Sequence, residues 1–340
     1  MDIKEVRKLS RERMKGYCRV CPVCNGVACV GEVPGMGGSL TGATFKSNVE
    51  DLGKVKLRLK TIHDAKDPNM KFEFWGEELD FPVLVAPITG SAFNMGGALT
   101  EKEYIDSVVR GSLLSGTIAM IGDSADLTMY EDGLEVLKAV GGKGVPIIKP
   151  RENPHVIENV KKAEAINSIA VGMDIDGAGL VTMALKGQPV GPKSVDELKE
   201  IVSSTKLPFI LKGIMTVEEA QLAVEVGAKA IVVSNHGGRV LDHGESTAKA
   251  LFEISKAVKG KIMILVDGGI RSGVDVFKML ALGADGVLIG RPVIIGAFGG
   301  YEEGVSLTLD NMKKELYQAM ILTGCKDLEA IDKTRITIQN

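Results

Sequence analysis

The chain has 340 residues, 45% hydrophobic and 25% charged, with a formal net charge of −3. That balance allows a large core and argues against disorder; with no basic block and only 4% aromatics, it also argues against a nucleic-acid-binding surface. No apolar run approaches the ~18 residues of a membrane span, and Met1–Lys15 is charged where a signal peptide would be apolar, so a cytoplasmic protein off the membrane is expected.

Residues 1–80 read as an extension before the main domain. After a basic amphipathic start, four of the five cysteines fall within twelve residues, as Cys18-x2-Cys21-x2-Cys24-x4-Cys29. Such close spacing suits two structural disulfides poorly, and the thiols are expected to be reduced. An iron–sulfur cluster, a structural zinc and metal-free thiols all stay open, because the spacing matches no single pattern. A glycine-rich tract runs from Gly35 to Thr44, and Lys71–Leu79, with Trp75, suggests a strand or hairpin capping a barrel floor.

From Phe81 onward, short apolar runs alternate with amphipathic stretches. The predicted strands are Val83–Pro87, Thr117–Gly122, Val145–Lys149, Ile169–Asp174, Phe209–Lys212, Ala230–Ser234, Met263–Asp267 and Gly286–Gly290. They are apolar on both faces, as parallel strands under helices are. Between them, Ser194-Val-Asp-Glu197 and Thr216-Val-Glu-Glu219 read as capping boxes, and Asn153-Pro154 as an N-cap followed by an N1 proline. Gly227, Gly260 and Gly283 are placed to end helices. Eight β-then-α units predict an α/β fold, a (β/α)8 TIM barrel over residues 81–340 with residues 1–80 packing on it; a doubly wound sheet is the competing arrangement. The glycine-rich connection Ile175–Lys193 reads as a mobile lid or an inert insertion, and the stretch around Asn311–Met320 as an amphipathic helix. His63, His155 and His243 read as solvated, and Cys325 as a small buried hydrophobe.

A barrel gathers its chemistry at the carboxyl ends of its strands. Asp123, Lys149, Asp174, Lys212, Ser234, His236, Asp267 and Arg291 all lie at or just past predicted strand ends. Ser234-Asn-His-Gly-Gly-Arg239 delivers an imidazole and a guanidinium together, with two glycines that allow a sharp turn; a base beside a fixed cation suits proton or hydride chemistry on an anionic substrate. Asp267-Gly268-Gly269-Ile-Arg271-Ser-Gly273 and Gly286-Val-Leu-Ile-Gly290-Arg291 supply backbone N–H groups and two cations after strands seven and eight, a phosphate nest. Lys212 is then either a Schiff-base lysine on pyridoxal phosphate or a fixed cation beside flavin mononucleotide (FMN), and the His236/Arg239 pair favours the flavin.

The stretches Leu207-Pro-Phe-Ile-Leu-Lys-Gly213, Val233-Ser-Asn-His-Gly-Gly-Arg239, Leu265-Val-Asp-Gly-Gly-Ile-Arg271, Ile289-Gly-Arg-Pro292 and Leu322-Thr-Gly-Cys325 resemble the FMN-dependent 2-hydroxy acid oxidase and dehydrogenase family, which includes glycolate and lactate oxidases. Weaker similarity reaches back to Phe81-Pro-Val-Leu-Val-Ala-Pro87, about three quarters of the chain in all. The resemblance implies FMN and oxidation of a small 2-hydroxy acid, or the reverse reduction, by hydride transfer to flavin N5. His236 would be the base, Arg239 the substrate-carboxylate clamp, and Asp174 the holder of the imidazole. Lys212 would face flavin N1/O2; Ser234, Asp267, Arg271, Gly290 and Arg291 would hold the ribityl chain and phosphate, with Gly237, Gly268 and Gly269 alongside; Pro87, Ile88 and Thr89 would line the ring.

This chain departs from that pattern at substrate-facing positions. The family's amino-terminal tyrosine falls in the Gly35–Gly38 tract, and strand three ends Ile147-Ile148-Lys149 without a tyrosine. The family's second arginine is replaced by Asp174-Ile-Asp-Gly-Ala-Gly179, where Lys149 is the candidate substitute cation. Alternatives are an isomerase resembling type 2 isopentenyl diphosphate isomerase, which Pro87-Ile-Thr-Gly90 faintly resembles, a different flavin oxidoreductase, or a redox sensor using the cysteine loop. The resemblance also implies a homo-oligomer, a tetramer or larger closed ring.

Overall fold

In the computed structural model, which describes residues 1–339, eight strands form one parallel sheet. They are β1 (Val83–Val85), β2 (Met120–Ile121), β3 (Val145–Ile148), β4 (Val171–Asp174), β5 (Phe209–Ile214), β6 (Ala230–Val233), β7 (Met263–Val266) and β8 (Gly286–Ile289). Their order is β1-β8-β7-β6-β5-β4-β3-β2. The ring closes between β1 and β2 through a Val85–Ala119 bridge, with the Val85 N–H donating to the Ile118 carbonyl at 3.1 Å. This is a (β/α)8 barrel; seven predicted strands contain their observed strand, and the fifth, predicted over Phe209–Lys212, runs on to Ile214.

Alternation along the strands separates two cores. Val83, Val85, Ile121, Val171, Met173, Leu211, Ile231, Val266 and Ile289 pack outward under the helices. Leu84, Met120, Ile147, Ile210, Val232, Leu265 and Leu288 fill the barrel interior. The floor of that interior is plugged by the hairpin Phe72–Phe74/Glu77–Leu79, turned at Trp75 and Gly76 with positive φ. Phe72, Phe74 and Leu79 join the inner core, each worth about 1.5–3 kcal/mol of burial.

The helix ends follow the sequence with two corrections. Ser194 makes both bonds of its capping box, whereas Thr216 only accepts from the Glu219 N–H, at 3.2 Å. Asn153 is the first residue of its helix rather than the cap, which is Glu152; its amide instead donates to the Glu197 carbonyl. The final helix, Arg291–Thr323, bends at Gly300–Tyr301 and packs against the first helix, Ile3–Arg13, where Val6 is buried. The carboxyl-terminal strand Ile336–Ile338 returns to pair antiparallel with Val55–Leu57. Ile175–Lys193 is folded, with a 3-10 turn Ile175–Gly179 and a short helix Val181–Leu185, and Gln188 accepts from Arg151 Nε at 2.9 Å. Among the described residues no helix is long and apolar enough to cross a membrane.

Candidate active site

Strand parity places the polar residues. Ile147, Ile210, Val232 and Leu265 point into the barrel, so the next inward positions are Lys149, Lys212, Ser234 and Asp267. They meet at the carboxyl end around Asp174. Lys212 Nζ donates to Asp174 Oδ1 at 3.0 Å and stands 3.8 Å from Asp267 Oδ2. Lys149 Nζ pairs with the other oxygen of Asp174, and Ser234 Oγ donates to Asp267 Oδ1 at 2.8 Å. Burial pushes the Asp174 carboxyl up, but the protonated form of His236, together with Lys149 and Lys212, prevails and holds it well below the usual carboxylate range. Burial likewise works against the Lys212 ammonium, and Asp174, Asp176 and Asp267 more than offset it, so Lys212 is a fixed cation. Burial dominates at Asp267 and raises its carboxyl despite Lys212.

Past β6 the backbone takes three successive left-handed residues, His236, Gly237 and Gly238, at φ 58, 62 and 77°. The turn is fixed by the His236 N–H donating to Ser234 Oγ at 3.1 Å. The His236 Nδ1 lies 3.0 Å from Asp176 Oδ1 and 3.5 Å from Asp174 Oδ2. Asp176, rather than the Asp174 that the resemblance implies, is therefore the nearer partner of the imidazole. Gly213 lets Asp176 approach: β5 bulges there, and a Cβ on Gly213 would lie 2.7 Å from the Asp176 Cβ. The second oxygen, Asp176 Oδ2, is buried without a protein partner.

Arg239 turns toward the amino-terminal tract. Its Nη1 donates to the Gly35 and Gly37 carbonyls, both at 2.7 Å, and its Nη2 to Asn94 Oδ1 at 3.0 Å. Of its five N–H donors, Nε–H and one on Nη2 are left for a ligand. The amino-terminal segment is thus part of the site. Gly238 carries no Cβ because the Phe45 backbone nitrogen would stand 2.5 Å from one. Asn48 and Asn235 exchange amide hydrogen bonds at 2.8 and 2.9 Å, both buried.

The predicted phosphate-binding residues lie beside that segment. Arg271 donates to the Cys24 and Ile270 carbonyls, while its Nη2 is buried with no partner. Arg291 donates to the Met36 and Gly237 carbonyls and stacks on Phe45, 3.9 Å from the ring centre. Burial and the neighbouring Arg271 push the Arg291 guanidinium down to about 9. Among the described residues the guanidiniums of Arg239, Arg271 and Arg291 bond only to carbonyl and amide oxygens, so three positive charges gather without a carboxylate. An orphaned buried donor among uncompensated cations, next to the Gly268 and Gly269 turn (φ 95 and 79°), fits the phosphate of FMN. At β1, Pro87, Ile88 and Thr89 are partly buried; the Ile88 Cδ1 would touch a Cβ on Gly290 at 3.0 Å, so the glycine keeps that side clear.

Sequence reasoning missed the buried Asp123–Arg151 ion pair, in which Arg151 also donates to the Ser124 carbonyl. It missed Asn48, Phe45 and Asn94 as well, because nothing local marks a side chain whose partner lies over 140 residues away. His63 is not merely solvated: it bonds to the Ile321 carbonyl at 2.8 Å and accepts from the Ala65 N–H. His155 and His243 are exposed, and Cys325 is buried. Cys18, Cys21, Cys24 and Cys29 are free thiols, partly buried, in the loop that also carries Arg271's carbonyl partner.

The fold and these residues define an FMN-binding barrel oxidoreductase. The family model described as FMN-dependent dehydrogenase matches residues 35–181 and 149–338, and the chain belongs to that family. Among its relatives are an L-lactate oxidase of Nostoc sp., 33% identical over 85% of this chain and 88% of that one, and a peroxisomal (S)-2-hydroxyacid oxidase of Arabidopsis thaliana, 29% identical over 89% and 91%. A crystal structure of mandelate oxidase superposes with a TM-score of 0.80 at 26% identity, covering 99% of this chain and 98% of that one. These relatives favour the hydroxy acid reading over the isomerase alternative.

Proposed function

We propose that the protein oxidises a 2-hydroxy acid to the 2-keto acid on bound FMN, with His236 as the base. The observation that carries this is the imidazole, fixed through Nδ1 by Asp176 at 3.0 Å at the mouth of a barrel whose family binds FMN. FMN supplies the hydride acceptor. Lys212 would sit against its pyrimidine edge, Ser234 and Asp267 along the ribityl chain, and Arg271, Arg291 and the Gly268, Gly269 and Gly290 backbone around the phosphate; Pro87, Ile88, Thr89 and Gly237 would line the ring.

Asp176 accepting from Nδ1–H assigns the proton to that nitrogen and leaves the Nε2 lone pair to take the substrate hydroxyl proton. Asp174, locked between Lys149 and Lys212 and 3.5 Å from Nδ1, stabilises the imidazolium that results. Arg239 offers its two spare N–H groups to the substrate carboxylate, which explains how one arginine can serve where the family uses two. We infer also that the protein works in the cytoplasm as a homo-oligomer; its five free cysteines suit a reducing compartment.

The test is anaerobic mixing of the FMN-loaded protein with a panel of 2-hydroxy acids, following flavin bleaching. His236→Asn should keep its FMN and lose about 10²–10⁴-fold in the rate of flavin reduction. Bleaching by the variant at the unmodified rate would overturn the assignment.

A further inference from the structure

Hydroxy acid oxidation leaves the amino-terminal thiols unused, and their arrangement has chemistry of its own. Cys18, Cys21, Cys24 and Cys29 line one cavity together with Arg291 and Ile295. The chain from 18 to 29 forms turns and bends without helix or strand. Two of its carbonyls are tied to arginines: Arg7 donates to Cys21 O at 2.6 Å and Arg271 to Cys24 O at 3.2 Å. Arginines thus hold two of the loop's carbonyls, and the four cysteines share one cavity.

The spacing of those sulfurs bears on which ligand they can hold. A single zinc ion holds four thiolates at Zn–S of about 2.3 Å, which sets sulfurs roughly 3.8 Å apart along each tetrahedral edge. Among the described residues, no three of these sulfurs lie within 4.8 Å of one another. Seating one zinc ion would therefore require these thiols to draw together. The loop's first three cysteines have the C-x2-C-x2-C spacing that wraps a [4Fe–4S] cube. Charge agrees. A cube with four thiolates carries net negative charge, and the wall beside it holds Arg291, with Arg271 and Arg239 nearby, none of them paired with a carboxylate.

We propose that Cys18, Cys21, Cys24 and Cys29 ligate one [4Fe–4S] cluster, four S–H protons being released as four Fe–S bonds form. Arg291 joins this cavity to the flavin constellation, since it also donates to the Gly237 carbonyl at 3.2 Å. On the reading of the barrel as an FMN site, the cluster is an outlet for single electrons. Each hydroxy acid gives up two electrons and two protons. The electrons leave singly through the cluster to a one-electron carrier protein, and the protons go to solvent.

Full-length protein purified anaerobically should contain four irons and four acid-labile sulfides per chain, and give a low-temperature EPR signal after dithionite reduction. Cys24→Ser and Cys29→Ser should each lose most of the iron and that signal while keeping bound FMN, since Arg271 contacts only the Cys24 backbone carbonyl. One zinc per chain, or no metal both as isolated and after incubation with ferrous iron and sulfide, overturns the site. A cluster that stays EPR-silent while a 2-hydroxy acid bleaches the flavin overturns the electron outlet. FMN stoichiometry, measured separately, tells failure of the cluster from failure of the barrel reading.

Discussion

Gly213→Ala tests the mouth of the barrel without altering any ionisable group. Gly213 has φ +104°, a region that disfavours a side chain, and its Cβ would lie 2.7 Å from the Asp176 Cβ and Cγ and 2.8 Å from the Asp176 nitrogen. Ordinary contact begins at 3.4 Å, so Asp176 must retreat by at least 3.4 − 2.7, or about 0.7 Å. The retreat cannot be absorbed by a flexible tip, because the nearest atoms include backbone. Held strain of this kind costs about 1–3 kcal/mol, a fall in Tm of roughly 1–4 °C for a chain of this size. The larger effect falls on chemistry. Asp176 fixes His236 through a 3.0 Å bond, and a misplacement of about 1 Å in a positioning group can cost about 10²-fold in rate. Stopped-flow flavin reduction, FMN content and thermal unfolding should show a rate loss of about 10- to 100-fold with FMN retained. An alanine variant that reduces its flavin at the unmodified rate would refute the link from Gly213 through Asp176 to the imidazole.

Arg239→Met removes the donors that hold the Gly35 and Gly37 carbonyls, leaving two acceptors short of a partner at about 1–3 kcal/mol each. The expected result is a KM for the hydroxy acid raised at least about tenfold and faster proteolysis near residues 35–38; unchanged KM and cleavage would contradict it. Arg239→Lys should rescue neither, because a single ammonium cannot reproduce the fork. Asp174 is held well below 3.8, so the stability it confers is complete above that pH and is lost as pH falls below it. Denaturant unfolding of Asp174→Asn between about pH 5 and pH 3 should therefore be less pH-dependent than that of the unmodified protein, and parallel curves would contradict the assignment.

What was legible in the sequence was what local pattern encodes. Runs such as Ala230-Ile-Val-Val233 are β-branched and buried on both faces, so the strands declared themselves, and period two then carried Lys212, Ser234 and Asp267 inward. Arg271 and Arg291 were visible for a similar reason: they follow glycines just past strand ends. The strand pair Val55–Leu57/Ile336–Ile338 was not, because three-residue strands with Lys56 and Thr337 in their middles carry almost no hydrophobic signal.

The distribution of donors within the site was hidden by distance along the chain, and it matters for substrate choice. A sequence motif shows Arg239 as one cation three residues from His236. Folding commits three of its five N–H groups to Gly35, Gly37 and Asn94. It likewise locks both oxygens of Asp174 onto Lys149 and Lys212 and leaves Asp176 Oδ2 as a buried acceptor with no protein donor. The mouth therefore offers one half-spent guanidinium and one spare carboxylate oxygen, where the family pattern implies two arginines and tyrosines. A substrate suited to it pairs a carboxylate for Arg239 with a hydrogen-bond donor for Asp176, which the α-hydroxyl meets only if His236 can still reach its proton. Because Gly213 sets how far Asp176 enters, the two requirements are met in one place by a residue with no side chain.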